Sequence, residues 1–317
     1  LSKLSGIIEY LPEELYIKVK ANTPLEVIER ELEKNNQELA FEPIDFGFIE
    51  KGKSNMGTIG GYLSCNFAGS RRFKVGSARD HILGFRGVNG KGEVIKSGGT
   101  VVKNVTGYDL SKLVTGSFGT LVVLTEVVLK VLPKKKLSNT ITIHTEDKKL
   151  VNKLFEKISS SSSEVSGAVY IPDEPEDKNY NHNKEMIFKF NDLNSNGSFL
   201  ALRLEGDKVA IDEKTKSLKS ELELNKMNIS ILDQHQSVPF WKKINSLDLF
   251  TETKNNLLRA VIPPSKGNEL MKKLGNEYKY YIDWCGSLYW IEVHTKKNMK
   301  IVEIKKLIKE LGGYLTI

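Results

Sequence analysis

Three short segments carry residue types that could hold a ligand. The first runs from Gly57-Thr58-Ile59-Gly60-Gly61 through Ser64 and Cys65 to Gly69. Glycine lets a backbone pass close to a ligand and take positive φ, and successive backbone N–H groups can hold phosphate oxygens. The segment has neither the dinucleotide fingerprint nor the Walker A pattern, and a purely structural turn accounts for it about as well. The second segment is Lys103 to Leu113, where Lys103 and Tyr108 bring polar groups to what also reads as a strand-to-helix turn. The third, Gly116-Ser117-Phe118-Gly119-Thr120-Leu121, continues into Thr125-Glu126. Between the first two lies the pair Arg71-Arg72. A guanidinium matches a carboxylate or phosphate with two parallel hydrogen bonds, and it serves equally in a surface ion pair.

The elements that must position these residues follow from periodicity. Ile7 to Tyr10 and Leu15 to Val19 read as strands around a turn at Pro12-Glu13-Glu14, the second alternating as a half-buried strand does. Thr23 and Pro24 have the chemistry of an N-cap and first helical residue. The helix they open places Leu25, Ile28 and Leu32 on one face and ends near Asn35-Asn36. Glycine dominates from Pro43 to Gly119, in loops between strands. The valine-rich run from Leu121 to Val131 favours a buried strand, and Pro133 with Lys134 to Lys136 marks a boundary. The remainder reads as strand, helix, strand, more than once. Strands are expected at 140–144, 167–171, 199–204, 257–262 and 314–317, with helices at 149–158, 210–224, 267–274 and 300–311. A hairpin is expected around Cys285-Gly286-Ser287, and a polar loop over 172–183. Two domains result, 1–134 and 135–317, the second an α+β layer in the ferredoxin-like style.

Composition narrows the function class. The chain has 317 residues, 39% hydrophobic and 27% charged, with net charge +7. That charge suits an anionic cofactor, a carboxylate substrate or an acidic membrane face, and it also follows simply from abundant lysine. No basic recognition helix is present, so nucleic acid is not expected as a partner. The longest apolar run, Leu121 to Leu132, is interrupted by Thr125, Glu126 and Lys130 and falls short of the ~20 residues of a membrane span. Cys65 and Cys285 stand far apart and form no CxxC, so reduced thiols and a cytoplasmic location are expected. His81, His144, His182, His235 and His294 are isolated, and no metal site is expected. The opening Leu1-Ser2-Lys3-Leu4 is neither a signal peptide nor an initiator methionine, and a chain that begins partway into a longer protein is expected.

Taken in order, Gly57–Gly61, Arg71-Arg72, Arg79–Phe85, Lys103–Leu113, Gly116–Leu121 and Thr125–Pro133 resemble the FAD-binding domain of the vanillyl-alcohol oxidase / p-cresol methylhydroxylase superfamily. Within it they are most similar to the FAD-binding subunits of bacterial glycolate oxidases. Leu258–Pro264 and Asp283–Trp290 extend the resemblance into the second half. It implies an α+β fold, with an FAD-binding domain of the p-cresol methylhydroxylase type followed by a ferredoxin-like cap. It implies FAD contacts from Gly57, Thr58, Gly60, Gly61, Ser64, Gly69, Gly119, Thr120, Leu121 and Thr125, and catalytic contacts from Arg71, Lys103 and Tyr108. The reaction implied is oxidation of a 2-hydroxy acid, glycolate to glyoxylate, in a complex with a second flavin subunit and an iron–sulfur subunit. Peripheral contact with the inner membrane is compatible with it. A stand-alone D-lactate or 2-hydroxy-acid dehydrogenase, or a structural subunit without FAD, remains an alternative. The chain departs from the pattern in four ways. The Gly-rich pyrophosphate loop that members carry before Leu4 is absent, as is a closing segment after Ile317. Phe118 stands where catalytic relatives carry an acid. Catalytic relatives often carry histidines that hold a metal beside the flavin, no pair here has that spacing, and neither a metal nor covalent flavin attachment is expected. A fragment that binds FAD poorly on its own is therefore expected.

Overall fold

The computed structural model describes residues 3–47, 49, 54, 57–100, 108–175, 197–251, 253–294 and 298–316. The chain divides into two compact units, Leu1–Lys134 and Lys135–Ile317.

In the first unit the strands are β1 (Ile7–Leu11), β2 (Tyr16–Lys20), β3 (Gln37–Glu38), β4 (Ile82–Asn89), β5 (Val94–Gly98), β6 (Val122–Lys130) and β7 (Leu132–Pro133). The helices are α1 (Leu25–Glu33), α2 (Ile59–Cys65), α3 (Arg72–Val75), α4 (Ala78–His81) and α5 (Leu110–Val114). A five-stranded antiparallel sheet runs in the order β1-β2-β6-β4-β5, and β3 pairs separately with β7. Strand β6 is central, as its valine-rich composition suggests. Ile17 and Val19 of β2, Val127 and Leu129 of β6 and Phe85 of β4 point to one face. There they meet Leu25, Ile28 and Leu32 of α1 and Ile59 and Leu63 of α2.

The start of α1 differs from the expected cap. Pro24 occupies the cap position without a side-chain bond. The buried Thr23 hydroxyl is committed elsewhere: it accepts from the Gly6 N–H at 2.9 Å and lies 2.6 Å from the Lys20 carbonyl oxygen. Thr23 thus ties the chain leaving β2 back to the residue that precedes β1.

The second unit contains β8 (Leu137–His144), α6 (Lys148–Ser159), β9 (Gly167–Ile171), β10 (Phe199–Gly206), α7 (Lys208–Glu221), β11 (Ile229–Leu232) and α8 (Gln234–Asn245). These are followed by β12 (Asn256–Val261), α9 (Gly267–Leu274), β13 (Lys279–Asp283), β14 (Leu288–Val293), α10 (Asn298–Glu310) and β15 (Tyr314–Thr316). One eight-stranded sheet runs β11-β8-β10-β9-β13-β14-β12-β15. Its order resolves into two βαββαβ repeats, each arranged 4-1-3-2 in its own numbering as in a ferredoxin-like fold. They join edge to edge where Ile282 of β13 bridges Tyr170 of β9. Helix α8, inserted between the repeats, is fastened to β8. Ser237 Oγ lies 3.0 Å from Ser138 Oγ and 2.8 Å from Thr140 Oγ1, and Trp241 Nε1 donates to Thr140 Oγ1 at 2.8 Å. The Arg203 guanidinium lies over the Trp241 ring at 4.5 Å. The expected loop over 172–183 lies outside the described residues from 176 onward. No helix among the described residues is long and apolar enough to cross a membrane.

Candidate functional site

Helix α2 is where the first and third of the chemistry-bearing segments meet. The chain enters it through an antiparallel bridge between Pro24 and Thr58. Two of its opening N–H groups are already committed to protein: Ile59 donates to the Thr23 carbonyl at 3.0 Å and Gly60 to the Ala21 carbonyl at 2.8 Å. Thr58 Oγ1 accepts from the Gly61 N–H at a long 3.4 Å. The row of N–H groups that the sequence offers to a phosphate is thus largely spent on fastening α2 to the end of β2.

The glycines divide by what surrounds them. A Cβ at Gly60 would stand 2.8 Å from both Ala21 Cβ and the Ala21 carbonyl oxygen. Gly60 is glycine because helix and strand touch there. Gly69 is buried, its N–H shared between the Phe41 and Glu42 carbonyls at 2.9 and 2.8 Å. Gly57 and Gly119 have φ of +74° and +72° and open space where a side chain would begin. Gly61 is the informative one. It is exposed, its φ lies outside the left-handed region, and a Cβ there would meet only Thr58 Oγ1 at an ordinary 3.5 Å. Nothing among the described residues requires glycine at Gly61, and glycine in an exposed helix costs about 1 kcal/mol relative to alanine.

By helical spacing Gly61, Ser64 and Cys65 share a face, and these are the solvent-exposed and half-buried residues of α2. The third segment docks beside them: Gly116 N–H donates to the Leu63 carbonyl at 3.0 Å and Phe118 N–H to the Ser64 carbonyl at 2.8 Å. Asn66, left-handed at the end of α2 with φ 52°, steadies the junction; its Oδ1 accepts from the Arg79 N–H at 3.0 Å. Two motifs some fifty residues apart are thereby joined into one strip. It runs from Gly57 along the roughly 10 Å of α2 to the exposed Phe118, Gly119, Thr120 and Leu121.

The other expected site residues are placed as follows. Ser64 Oγ donates to the Gly60 carbonyl at 2.8 Å, so its proton serves the helix. Thr125 sits at the bulge between β6 and β4, its hydroxyl donating to the Arg86 carbonyl at 2.9 Å. Thr120 Oγ1 donates to the Ser117 carbonyl at 2.6 Å. The Arg71 side chain is mostly buried, its Nη1 2.8 Å from Glu38 Oε1 and its Nε 3.6 Å from Glu42 Oε1. Its charge is already matched by carboxylates of this unit, which is a positioning arrangement for the turn after Gly69. Tyr108 is 91% exposed at the start of α5. Lys103 lies outside the described residues. His81 is buried, its Nε2 3.0 Å from the Val75 carbonyl oxygen and its Nδ1 without a hydrogen-bond partner. Burial holds its pKa below the ordinary histidine value. Burial likewise pushes the Cys65 thiol upward. Among the described residues no group of three or more His, Cys, Asp and Glu is placed to hold a metal ion.

Sequence reasoning missed three parts of this junction: the Ala21 carbonyl, the Asn66 cap and the positive φ of Phe118. Asparagine just after a short helix is a readable left-handed cap. The other two depend on tertiary contacts and leave no local signal.

Comparison with known proteins identifies the family. Residues 1–98 match the FAD binding domain family. Glycolate oxidase subunit GlcE of Escherichia coli (strain K12) is 30% identical over 312 residues, covering 98% of this chain and 73% of that protein. The chain belongs to the GlcE family of glycolate oxidase subunits. Other relatives match this GlcE-family chain over shorter stretches. Glycolate oxidase subunit GlcD of Bacillus subtilis (strain 168) is 38% identical over 112 residues, 35% of this chain and 22% of that one. A D-lactate dehydrogenase of Anaerostipes hadrus is 35% identical over 136 residues, 43% of this chain and 27% of that one. Among solved structures, alkyldihydroxyacetonephosphate synthase superposes with a TM-score of 0.69 at 16% identity, over 99% of this chain and 61% of that one. The fold is therefore shared, and the chain spans about three-fifths of the length of that structure.

FAD fits the strip on the structure's own terms. Gly57 and Gly119 leave open space where side chains would otherwise begin, and Gly61 is exposed with only Thr58 Oγ1 in ordinary contact, as an extended ligand lying against the backbone requires.

Proposed function

We propose that this chain is the flavin-binding part of a glycolate oxidase complex, with FAD held along α2 and the Gly116–Leu121 loop. The observation that carries the proposal is Gly61, an exposed helical glycine that no described residue obliges to lack a side chain. In this reading Gly57, Gly61, Gly119, Thr120 and Leu121 touch the cofactor. Gly60, Ser64, Gly69 and Thr125 hold the backbone that does so, and residues 135–317 form the cap and substrate domain.

Bound FAD supplies the hydride acceptor for oxidation of a 2-hydroxy acid to a 2-oxo acid. Glycolate is the substrate proposed, with a second flavin subunit and an iron–sulfur subunit as partners. The free thiols Cys65 and Cys285 suit a reducing compartment and a cytoplasmic place for the complex. Arg71, committed to Glu38 and Glu42, favours a second reading of the same site, in which this subunit relays electrons and its partner binds the substrate carboxylate. Anaerobic addition of glycolate to the full-length, flavin-loaded subunit separates the two. Bleaching of the flavin bands by glycolate alone marks a substrate-oxidising subunit. Bleaching only when the second flavin subunit is present marks a relay. A flavin that neither condition reduces contradicts the glycolate assignment.

A further inference from the structure

The loop that docks on α2 contains a residue whose conformation works against its chemistry. Thr120 N–H donates to the Ser117 carbonyl at 3.0 Å, closing a four-residue turn. Both central residues have positive φ, 53° at Phe118 and 72° at Gly119. Two consecutive positive φ values are the pattern of a type I′ turn, which favours Asn-Gly and disfavours a bulky side chain at its first central position. Phe118 fills that position and is 62% exposed, so the ring recovers little by burial. Its N–H anchors the loop to Ser64, but any residue except proline supplies an N–H. Neither turn chemistry nor packing among the described residues accounts for a phenylalanine here. Strained positions persist where function requires them. The ring stands in a loop beside open Gly119 and half-exposed Leu121, on the strip that Gly61 leaves clear.

We propose that Phe118 is a cofactor-contacting residue whose ring packs against one of the two planar ring systems of FAD. This rests on the flavin reading above. An aromatic ring held out from the backbone offers a face for stacking, and the turn that holds it is fixed to α2 at two points, so the ring is preorganised.

The test uses the full-length protein with Phe118→Asn and Phe118→Tyr, titrated with FAD and with FMN, which lacks the adenine. Asparagine suits the turn better, so Phe118→Asn is expected to raise the melting temperature of the FAD-free protein while weakening FAD binding at least tenfold. Phe118→Tyr keeps the ring and is expected to bind within about threefold of wild type. If the partner ring is the isoalloxazine, FMN affinity falls in Phe118→Asn as well and the visible bands of bound flavin shift. If it is the adenine, FAD affinity alone falls and the bands stay in place. Equal FAD affinity in wild type and Phe118→Asn overturns the inference while leaving the flavin reading intact, and so does a Phe118→Asn protein that keeps FAD but no longer assembles with its partner subunits. A wild-type protein that takes up no FAD removes both.

Discussion

Gly60 and Gly61 are adjacent, chemically identical and held for different reasons. A methyl group at Gly60 has nowhere to go, because the Ala21 carbonyl and Cβ already lie at 2.8 Å from where it would stand. Gly60→Ala is therefore expected to destabilise the first unit by about 1–3 kcal/mol, the usual cost of overpacking. Gly61→Ala is expected to stabilise the FAD-free protein by up to about 1 kcal/mol, since it adds a helix-favouring residue at an open position. Denaturant melts of the two variants check the opposite signs. The sequence offered both residues as a single Gly-Gly signal and could not sort them, because the distinction lies in Ala21, some forty positions away. Arg71 was obscured for a similar reason: its partners Glu38 and Glu42 come from a separate stretch of chain. Cys285 shows burial settling a question the sequence leaves open. Its thiol donates to the Phe155 carbonyl at 3.3 Å, and burial pushes its pKa up to about 12, so it stays protonated and inert.

At the scale of elements, α3 and α4 form a short arc that leads the chain into β4. Ser77 and Asp80 close a capping box at its centre, and His81 ends it against the Val75 carbonyl. Because His81 is buried and its pKa lowered, the folded state resists the proton that the unfolded chain accepts. Stability is then unaffected by this group above the unfolded pKa near 6.5. It falls as pH drops below that value, by at most about 1.4 kcal/mol per pH unit, because the unfolded state binds more protons. Urea melts between pH 8 and pH 5 check this, and a His81→Leu variant is expected to lose that part of the slope. Most elements were legible from pattern. Alternation revealed β2, and the spacing of Leu25, Ile28 and Leu32 revealed α1. Helix α8 was not seen, because Pro239 interrupts a run whose first turn is polar. Its readable signal was Asp233 followed by Gln236, which form a capping box in the structure.

On the scale of the whole molecule, each unit is built around its own sheet, and the second is an internally duplicated ferredoxin-like layer. The duplication was readable only as a recurrence of strand, helix, strand. Strands β9, β13 and β14 are buried along their whole length, and β10 is buried up to its half-buried last residue. Burial on both faces erases the alternation that marks a half-covered strand, leaving no register from which to infer strand order. The proposed flavin strip was legible in its residues but not in its geometry. The motifs around Gly57 and Gly116 were visible, while their union through Leu63 and Ser64 required the fold. The most direct test of that strip is a titration of the full-length protein with FAD, followed by the visible spectrum, for wild type and Gly61→Val. The structure predicts flavin bands in the wild type, with FAD released on denaturation. It predicts a loss of at least tenfold in affinity for Gly61→Val, whose stability without FAD stays near that of wild type. A wild type that takes up no FAD, or a Gly61→Val protein that binds FAD as tightly as wild type, would contradict the account.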